Sequence, residues 1–578
     1  LALAAHLGDS FDHAQLMSVG ERDAVATAEV LWPALQENLL VPLNEGYKFE
    51  HSPELLRTAR YRFLHDRVQQ AAHELTPAGE RPALRLHCGR LLLAACNEAE
   101  LEERLFIILE SLNAAIELMT DPAERARLLA LNLRGGIRAK SSAAYTAAVE
   151  LLRQGESLLP PDAWQQQPEL ALTVYKNLAE AEYLAGHFDV AEQRLVRLIA
   201  QAPAVAAKVT LCLALVELLH LRGRFADAFV VLCRALALLG RDFPESEEEA
   251  MQCYLAEFAE TEATLAAQDE AALLTQSEMR DPERLLEMQV YYGLAYATYQ
   301  INRGISYVLG ACRMVKTTLA HGQCDLSCIA YVTYQTAMAA SGRPYPAVHA
   351  MGRLARKLSE QRDNPYFRLS VYQYFGGFYQ HWCEPLRETL PYLEQGMVMG
   401  RAGINPLAAG YCALLRSVNR FAIGLPLDEL VAECEQGLAF LKRSHQPATE
   451  AMLRHGVMQP ALALLGKTLN AASFDTAECA VSSYFSDAAS APPIVLAFFS
   501  TAMARHAYLF DDRAQWQDSS SRLAMIGLCL PDSPSMVEAS FFTALGLLHP
   551  AFADADTRES NWQLAEVQLH RFQAWADH

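Results

Sequence analysis

The pair His65-Asp66 has the residue types and placement of working chemistry. It sits in the run Tyr61-Arg-Phe-Leu-His-Asp-Arg-Val-Gln-Gln-Ala-Ala72. The alternation of Tyr61 and Phe63 predicts a short strand, and the following residues predict a helix that buries Val68, Ala71 and Ala72. Asp66 is placed to cap that helix, its carboxylate accepting an orphan N–H of the first turn. A cap at Asp66 gives His65 no task.

Other constellations imitate chemistry without completing it. Gly466-Lys467-Thr468 resembles the end of a phosphate-binding loop, but the first glycine would fall at position 461, an alanine. The run Pro460–Leu465 is apolar and helical in character, unlike a loop whose N–H groups could cradle phosphate. ATP hydrolysis by these residues is therefore not expected, and no residue is assigned a catalytic role. His321, Cys324 and Cys328 put three soft ligands at i, i+3 and i+7. A zinc site would need a fourth ligand at metal spacing, and Gly322 suggests a turn within the trio, so they read as core thiols and no metal is expected. No Gly-x-Ser-x-Gly or His-Glu-x-x-His run occurs, and no spacing selects a triad. Glu247, Glu248 and Glu249 read as a solvated charge run.

Aromatic density rises between 291 and 382. Tyr292, Tyr296 and Tyr299 share one helix face, Tyr331 and Tyr334 another, and Phe375, Phe378, Tyr379 and Trp382 form a third stripe. Core packing is the first explanation of such stripes. The alternative is a groove, because tyrosine suits a surface with one dry and one wet end. Its occupant would be a protein or peptide, or a small signalling ligand.

The elements that would position these groups are mostly helices. A chain of 578 residues is too long for one core. It has 52% hydrophobic and 20% charged residues, the balance of a globular protein. With 48 Lys and Arg against 68 Asp and Glu, its formal charge is −20, which opposes nucleic acid and anionic membrane as partners. The 13 cysteines are scattered without a Cys-x-x-Cys pair, among them Cys212, Cys233, Cys434 and Cys529, as expected of reduced thiols in cytoplasm. No run reaches the roughly 18 apolar residues of a membrane span. Leu1-Ala-Leu-Ala-Ala-His6 lacks both an initiator methionine and a positive flank, so it reads as a cut from a longer chain and not as a signal peptide.

Residues 1–80 predict a winged helix: helices broken near Leu7-Gly8 and Phe11-Asp12, a helix over Ala26–Asn38, strands at Tyr47–His51 and Tyr61–Phe63, and a closing helix. Ala26–Asn38 carries Glu29 and Glu37 and no Lys or Arg, so DNA reading is not expected. From about 82 onward helix follows helix. Leu178, Glu180, Leu184, Gly186, Phe188, Ala191 and Leu195 recur 37 residues later as Leu215, Glu217, Leu221, Gly223, Phe225, Ala228 and Leu232. Glycine permits the tight turn, alanine lets backbones approach, and the leucines are expected to face the shared core. The pattern resembles the tetratricopeptide (TPR) repeat. Tyr145-x-x-Ala148-x-x-x-Leu152 is a degraded copy, and Gly342-Arg-Pro-Tyr345 a later one. Beyond it no clear repeat is visible. The fold expected is all-α, an irregular TPR-like α-solenoid of antiparallel helix pairs after a small winged-helix domain. The divisions expected are 1–80, 81–245 and 246–578, the last ending mid-array at Trp562–Asp577.

Phe63-Leu64-His65-Asp66 resembles the Met-His-Asp motif that ends the winged helix of STAND ATPases, signal-transducing relatives of AAA proteins. Leu86-His-Cys-Gly-Arg-Leu-Leu92, Leu131-Asn-Leu-Arg134 and Ala144-Tyr145 extend the likeness to multidomain signalling kinases that join a Ser/Thr kinase-like domain, such an ATPase, a TPR-like region and a histidine kinase. Leu64 departs from the motif's methionine, and His73 stands where an aromatic is expected. The resemblance implies that His65, with Asp66, senses ADP by contacting its β-phosphate in the intact protein. ATP or ADP with Mg would be bound by domains outside this chain, with no cofactor held here. A signal received by the helical array would open the molecule, and the activated parent could oligomerise. Two other plans share these elements: a LuxR-type transcription activator and a free-standing TPR scaffold.

Overall fold

The computed structural model describes residues 1–48, 52–471, 473–485, 492–526, 533–552 and 558–576. The chain folds as two compact units, 1–207 and 208–578. Among the described residues, no helix is long and apolar enough to cross a membrane.

The first unit opens with a three-stranded antiparallel sheet of order β1-β3-β2, formed by β1 (Ser10–Asp12), β2 (Leu40–Pro42) and β3 (Arg60–Phe63). β3 alternates as its sequence demands, Tyr61 and Phe63 inward and Arg60 and Arg62 outward. β1 falls where the sequence suggested a passage between helices. Three residues are too few to show alternation, and pairing of Phe11 with Tyr61 is what makes them a strand. Around the sheet lie α1 (Ala2–Ala5), α2 (His13–Gly20), α3 (Ala24–Gln36), α4 (Pro53–Leu56) and α5 (Asp66–Glu74). Glu45–Lys48, where alternation predicted the start of a strand, is a 3-10 turn, and 49–51 lie outside the described residues. Fully buried His13 ties the module together, its Nε2 2.8 Å from the Ala24 carbonyl and its Nδ1 3.2 Å from the Tyr61 hydroxyl.

Helix pairs follow in this unit, including Pro122–Ser141 with Tyr145–Leu158 and Pro168–Leu184 with Phe188–Gln201. Gly186 takes φ +86° at the second turn, a region open to glycine at little cost. Ala148 and Ala191 are fully buried where the helices cross. The repeat positions Leu184 and Leu221 are exposed, not in the core, each lying just before the glycine turn.

In the second unit helix pairs continue to residue 576. Ser327–Ala340 packs on Pro365–Tyr374, which packs on Pro406–Ile423, and that on Pro447–Leu453. Pro493–Leu509 and Pro534–Leu548 extend the series. These first helices of each pair form an inner layer, in which Ser327–Ala340, Pro406–Ile423 and Pro493–Leu509 are buried nearly all round, whereas second helices such as Tyr345–Gln361 and Leu427–Arg443 are one-sided. Two inner helices pass into π-helical turns, Phe375–Tyr379 and Arg454–Met458.

Candidate functional site

His65 is the residue at which β3 becomes α5. Its backbone is extended (φ −145°, ψ 151°), and its carbonyl accepts from Val68 N at 2.9 Å and Gln69 N at 3.3 Å. His65, not Asp66, is therefore the cap residue, although its side chain makes no cap bond. Asp66 is the first helical residue, where its charge favours the positive end of the helix dipole. The strand end is held from both sides, Phe63 N donating to Asp9 O (2.9 Å) and Leu64 N to Leu39 O (3.1 Å). The result is a rigid platform with Leu64, His65 and Asp66 all exposed. Of the helix residues expected inside, Ala72 is buried and Val68 half-buried, but Ala71 faces solvent. His73 does the packing of an aromatic, its ring centroid 4.3 Å from that of His6. Burial, with His73 and then Arg85 and Arg81 adding, pushes His6 down to about 4.

The tyrosines divide. Tyr331 and Tyr334 are fully buried; the Tyr334 hydroxyl donates to Glu262 Oε1 at 2.9 Å, and its ring stacks on Phe258. Tyr292, Tyr296 and Tyr299 are half-buried and meet aromatic groups from several inner helices. Tyr292 hydrogen-bonds with Ser370 and Tyr366, and Tyr307 with Tyr374 and Thr336. Gln300 donates through Nε2 to the Tyr411 hydroxyl at 3.1 Å, and Tyr411 also meets Thr449. Burial raises the phenols of Tyr292, Tyr296, Tyr307, Tyr374 and Tyr411 well above their ordinary value, Tyr411 to about 12. Tyr307, Tyr366, Tyr374 and Tyr411 were not singled out from the sequence. The spacing of Tyr366, Ser370 and Tyr374 at i, i+4 and i+8 was the available signal. Of the third stripe, Phe375, Phe378 and Tyr379 are buried in the π-helical turn, and half-buried Trp382 stacks on Tyr345 at 4.5 Å.

The remaining motifs resolve structurally. His321 ends the Gly304–His321 helix and is exposed, Gly322 turns the chain at φ +95°, and Cys324 precedes the Ser327–Ala340 helix that holds Cys328, so the trio does not share one helix face. The Cys328 thiol donates to Asp325 O at 3.1 Å, and burial pushes it up to about 12. Among the described residues no group of three potential ligands is disposed to hold a metal, and every described cysteine is a free thiol; Cys529 lies outside them. Gly466 is a turn after the Gln459–Leu464 helix, and Lys467 pairs with Asp428 at 2.7 Å. Glu247 does more than solvate a loop: its carboxylate accepts from Ile305 N (2.9 Å) and Ser306 N (3.1 Å), capping the Gly304–His321 helix.

No known protein-family profile matches the chain. It is 28% identical over 168 residues to hybrid signal transduction histidine kinase G of Dictyostelium discoideum. That match covers 25% of this chain and 5% of the relative's length. Among solved structures it is similar to a Signal Transduction ATPase with Numerous Domains (STAND) protein with a tetratricopeptide repeat sensor from Pyrococcus horikoshii. There the TM-score is 0.33 at 12% identity, over 78% of this chain and 64% of that one, an overlap too loose to transfer a role.

Proposed function

We propose that this chain is a regulatory and sensing region of a STAND-type signal-transduction ATPase coupled to protein kinase output. Residues 1–80 would be its winged helix, and the helix pairs its protein- or ligand-binding array. The observation that carries this reading is the His65 platform: an exposed imidazole at the end of a braced strand, with no cap bond to occupy it. The likeness of part of the chain to a protein named as a hybrid histidine kinase points the same way. The exposed side of α3 includes Val25, Val30 and Trp32, a surface suited to protein contact and not to DNA.

On this reading the chain itself acts without catalysis, in the cytoplasm. ADP or ATP with Mg belongs to the neighbouring nucleotide domain, and supplies the two states of the switch. The His65 imidazole fits the task of meeting a phosphate oxygen presented from outside, and Asp66 fixes the helix behind it. A signal on the array shifts the population from closed to open only by binding the open state more tightly, by a few kcal/mol for a useful response. In the intact protein, His65→Ala is expected to speed ADP release and raise basal output. An unchanged ADP off-rate would refute the assignment.

A further inference from the structure

A recess of about 210 Å³ opens on the second unit, where the Phe225–Leu238 helix meets the turn between the Pro282–Gln300 and Gly304–His321 helices. Ala226, Phe229, Val230, Cys233 and Ile301 give it apolar walls. Phe229 and Cys233 are buried, whereas Ala226 and Val230 are exposed, Val230 at 63%, so the base is fixed and the mouth open. Arg303 braces the base. Its guanidinium lies 4.2 Å from the Phe229 ring centroid, its Nε donates to Glu247 Oε1 at 3.2 Å, and its Nη2 donates to the Glu245 carbonyl. Burial, with Glu245 adding, pushes the Cys233 thiol up to about 12, so it lines the wall as an apolar group and not as a nucleophile.

Size and charge narrow the occupant. A cavity of roughly 150 Å³ takes one benzene ring, so this recess has room for a single leucine, methionine or phenylalanine side chain. Small-molecule sites bury most of their ligand's surface, which a mouth with Ala226, Val230 and Glu245 all exposed does not do. An anchoring side chain of a partner needs only its own tip covered. The lip is acidic. Glu245 lines it, and Glu248 and Glu249 follow in the first turn of the Glu247–Ala266 helix, all three exposed. The helix dipole favours the last two, but Glu245 precedes the helix and has no such reason. Among the described residues none of these three carboxylates has an ion-pair partner. The cations of the region are already engaged, Arg303 by Glu247, Arg241 by Glu287 (3.3 Å) and Arg313 by Glu257 (2.8 Å). A formal charge of −20 on the chain adds long-range attraction for a basic partner.

We propose that this recess anchors a basic segment of a protein partner, with one leucine, methionine or phenylalanine side chain inside and a flanking lysine or arginine on Glu245. This names the kind of partner for the array described above, and rests on that reading only for the signalling consequence of binding. The test is binding of the 1–578 chain to immobilised heptapeptides with leucine, methionine or phenylalanine at the centre and lysine or arginine on both flanks. Peptides with serine at the centre, and peptides with acidic flanks, are measured beside them. At least one basic peptide with an apolar centre should bind about tenfold or more tightly than its serine-centred counterpart, the worth of burying one such side chain. The acid-flanked set should not bind. Ala226→Trp, which fills the mouth from an exposed position, should weaken binding at least about tenfold. Glu245→Lys should weaken it about fivefold, and by less at high salt. No binding by any basic peptide, equal binding of the serine-centred set (charge attraction alone), or an unchanged Kd in both variants would overturn it. Because nucleotide is absent from this assay, its failure is distinct from a failure of the His65 assignment.

Discussion

The 1–207 and 208–578 units are both stacks of helix pairs and both bury a carboxylate between arginines, yet they differ in what else they keep inside. The first unit uses ions. Glu182 is fully buried, and its carboxylate is clasped by Arg194 (2.8 Å) and Arg153 (3.1 Å), with Arg194 reaching on to Glu156. Lys140 joins Glu180 across the next pair. The second unit has a clasp of its own, buried Glu287 held by Arg284 (2.6 Å) and Arg241 (3.3 Å), but adds an inner layer lined with phenols and amides. A buried ion pair has one good partner and fixes the register of its helices. Neutral hydroxyls exchange partners at smaller cost.

The contrast can be broken by mutation, starting with its stiffest element. Arg194→Ala leaves the Glu182 carboxylate buried with one oxygen's partner remaining, and should cost about 3–5 kcal/mol in a denaturant titration. A loss under about 1 kcal/mol would mean that the clasp does not hold the frame.

Acid should act on the second unit through histidines without counter-charges. Burial, with Arg454 adding, holds His455 down to about 4, and burial alone does the same to His220. Both lie below the unfolded value of 6.5, so the folded state prefers them neutral. That preference is fully satisfied above pH 6.5 and becomes a growing penalty as pH falls toward 4. His455 alone should account for up to about 3 kcal/mol, read as unfolding free energy against pH in wild type and His455→Gln. Parallel curves would remove His455 from the account.

Gly322→Ala should cost about 2 kcal/mol or more, because φ is +95° and the new methyl would meet the Ser277 carbonyl oxygen. The tyrosines give the finest test. Tyr334→Phe removes a bond to Glu262 and should cost about 1–2 kcal/mol, whereas Tyr331→Phe, whose hydroxyl has no partner, should be neutral within about 0.5 kcal/mol. Equal costs would mean that the bond to Glu262 adds nothing to stability.

The strand at Tyr61 and Phe63 was readable because one buried and one exposed residue alternate along it. β1 was not, since its three residues become a strand only by pairing with β3. The second unit hid its repeat for a different reason: several of its inner helices are buried nearly all round, and the leucine-glycine signature fades. Another mark was present. Pro365, Pro406 and Pro447 lie 41 residues apart, as do Pro493 and Pro534, and each opens an inner helix. Proline suits that first turn because its missing N–H has no partner there anyway. At the sites, local spacing placed His65 at a junction and Tyr292, Tyr296 and Tyr299 on one face. It could not separate them from Tyr331 and Tyr334, whose burial depends on Phe258 and Glu262 far away in the chain.

The central claim is that His65 reads nucleotide state. The measurement that tests it is the dissociation rate of ADP from the intact protein, compared between wild type and His65→Ala, with Tyr331→Phe as a control distant in sequence. Loss of a hydrogen bond to a charged phosphate should speed release at least about tenfold in His65→Ala, with the control unchanged. Equal rates for all three would contradict the account and leave Leu64-His65-Asp66 as a helix start alone.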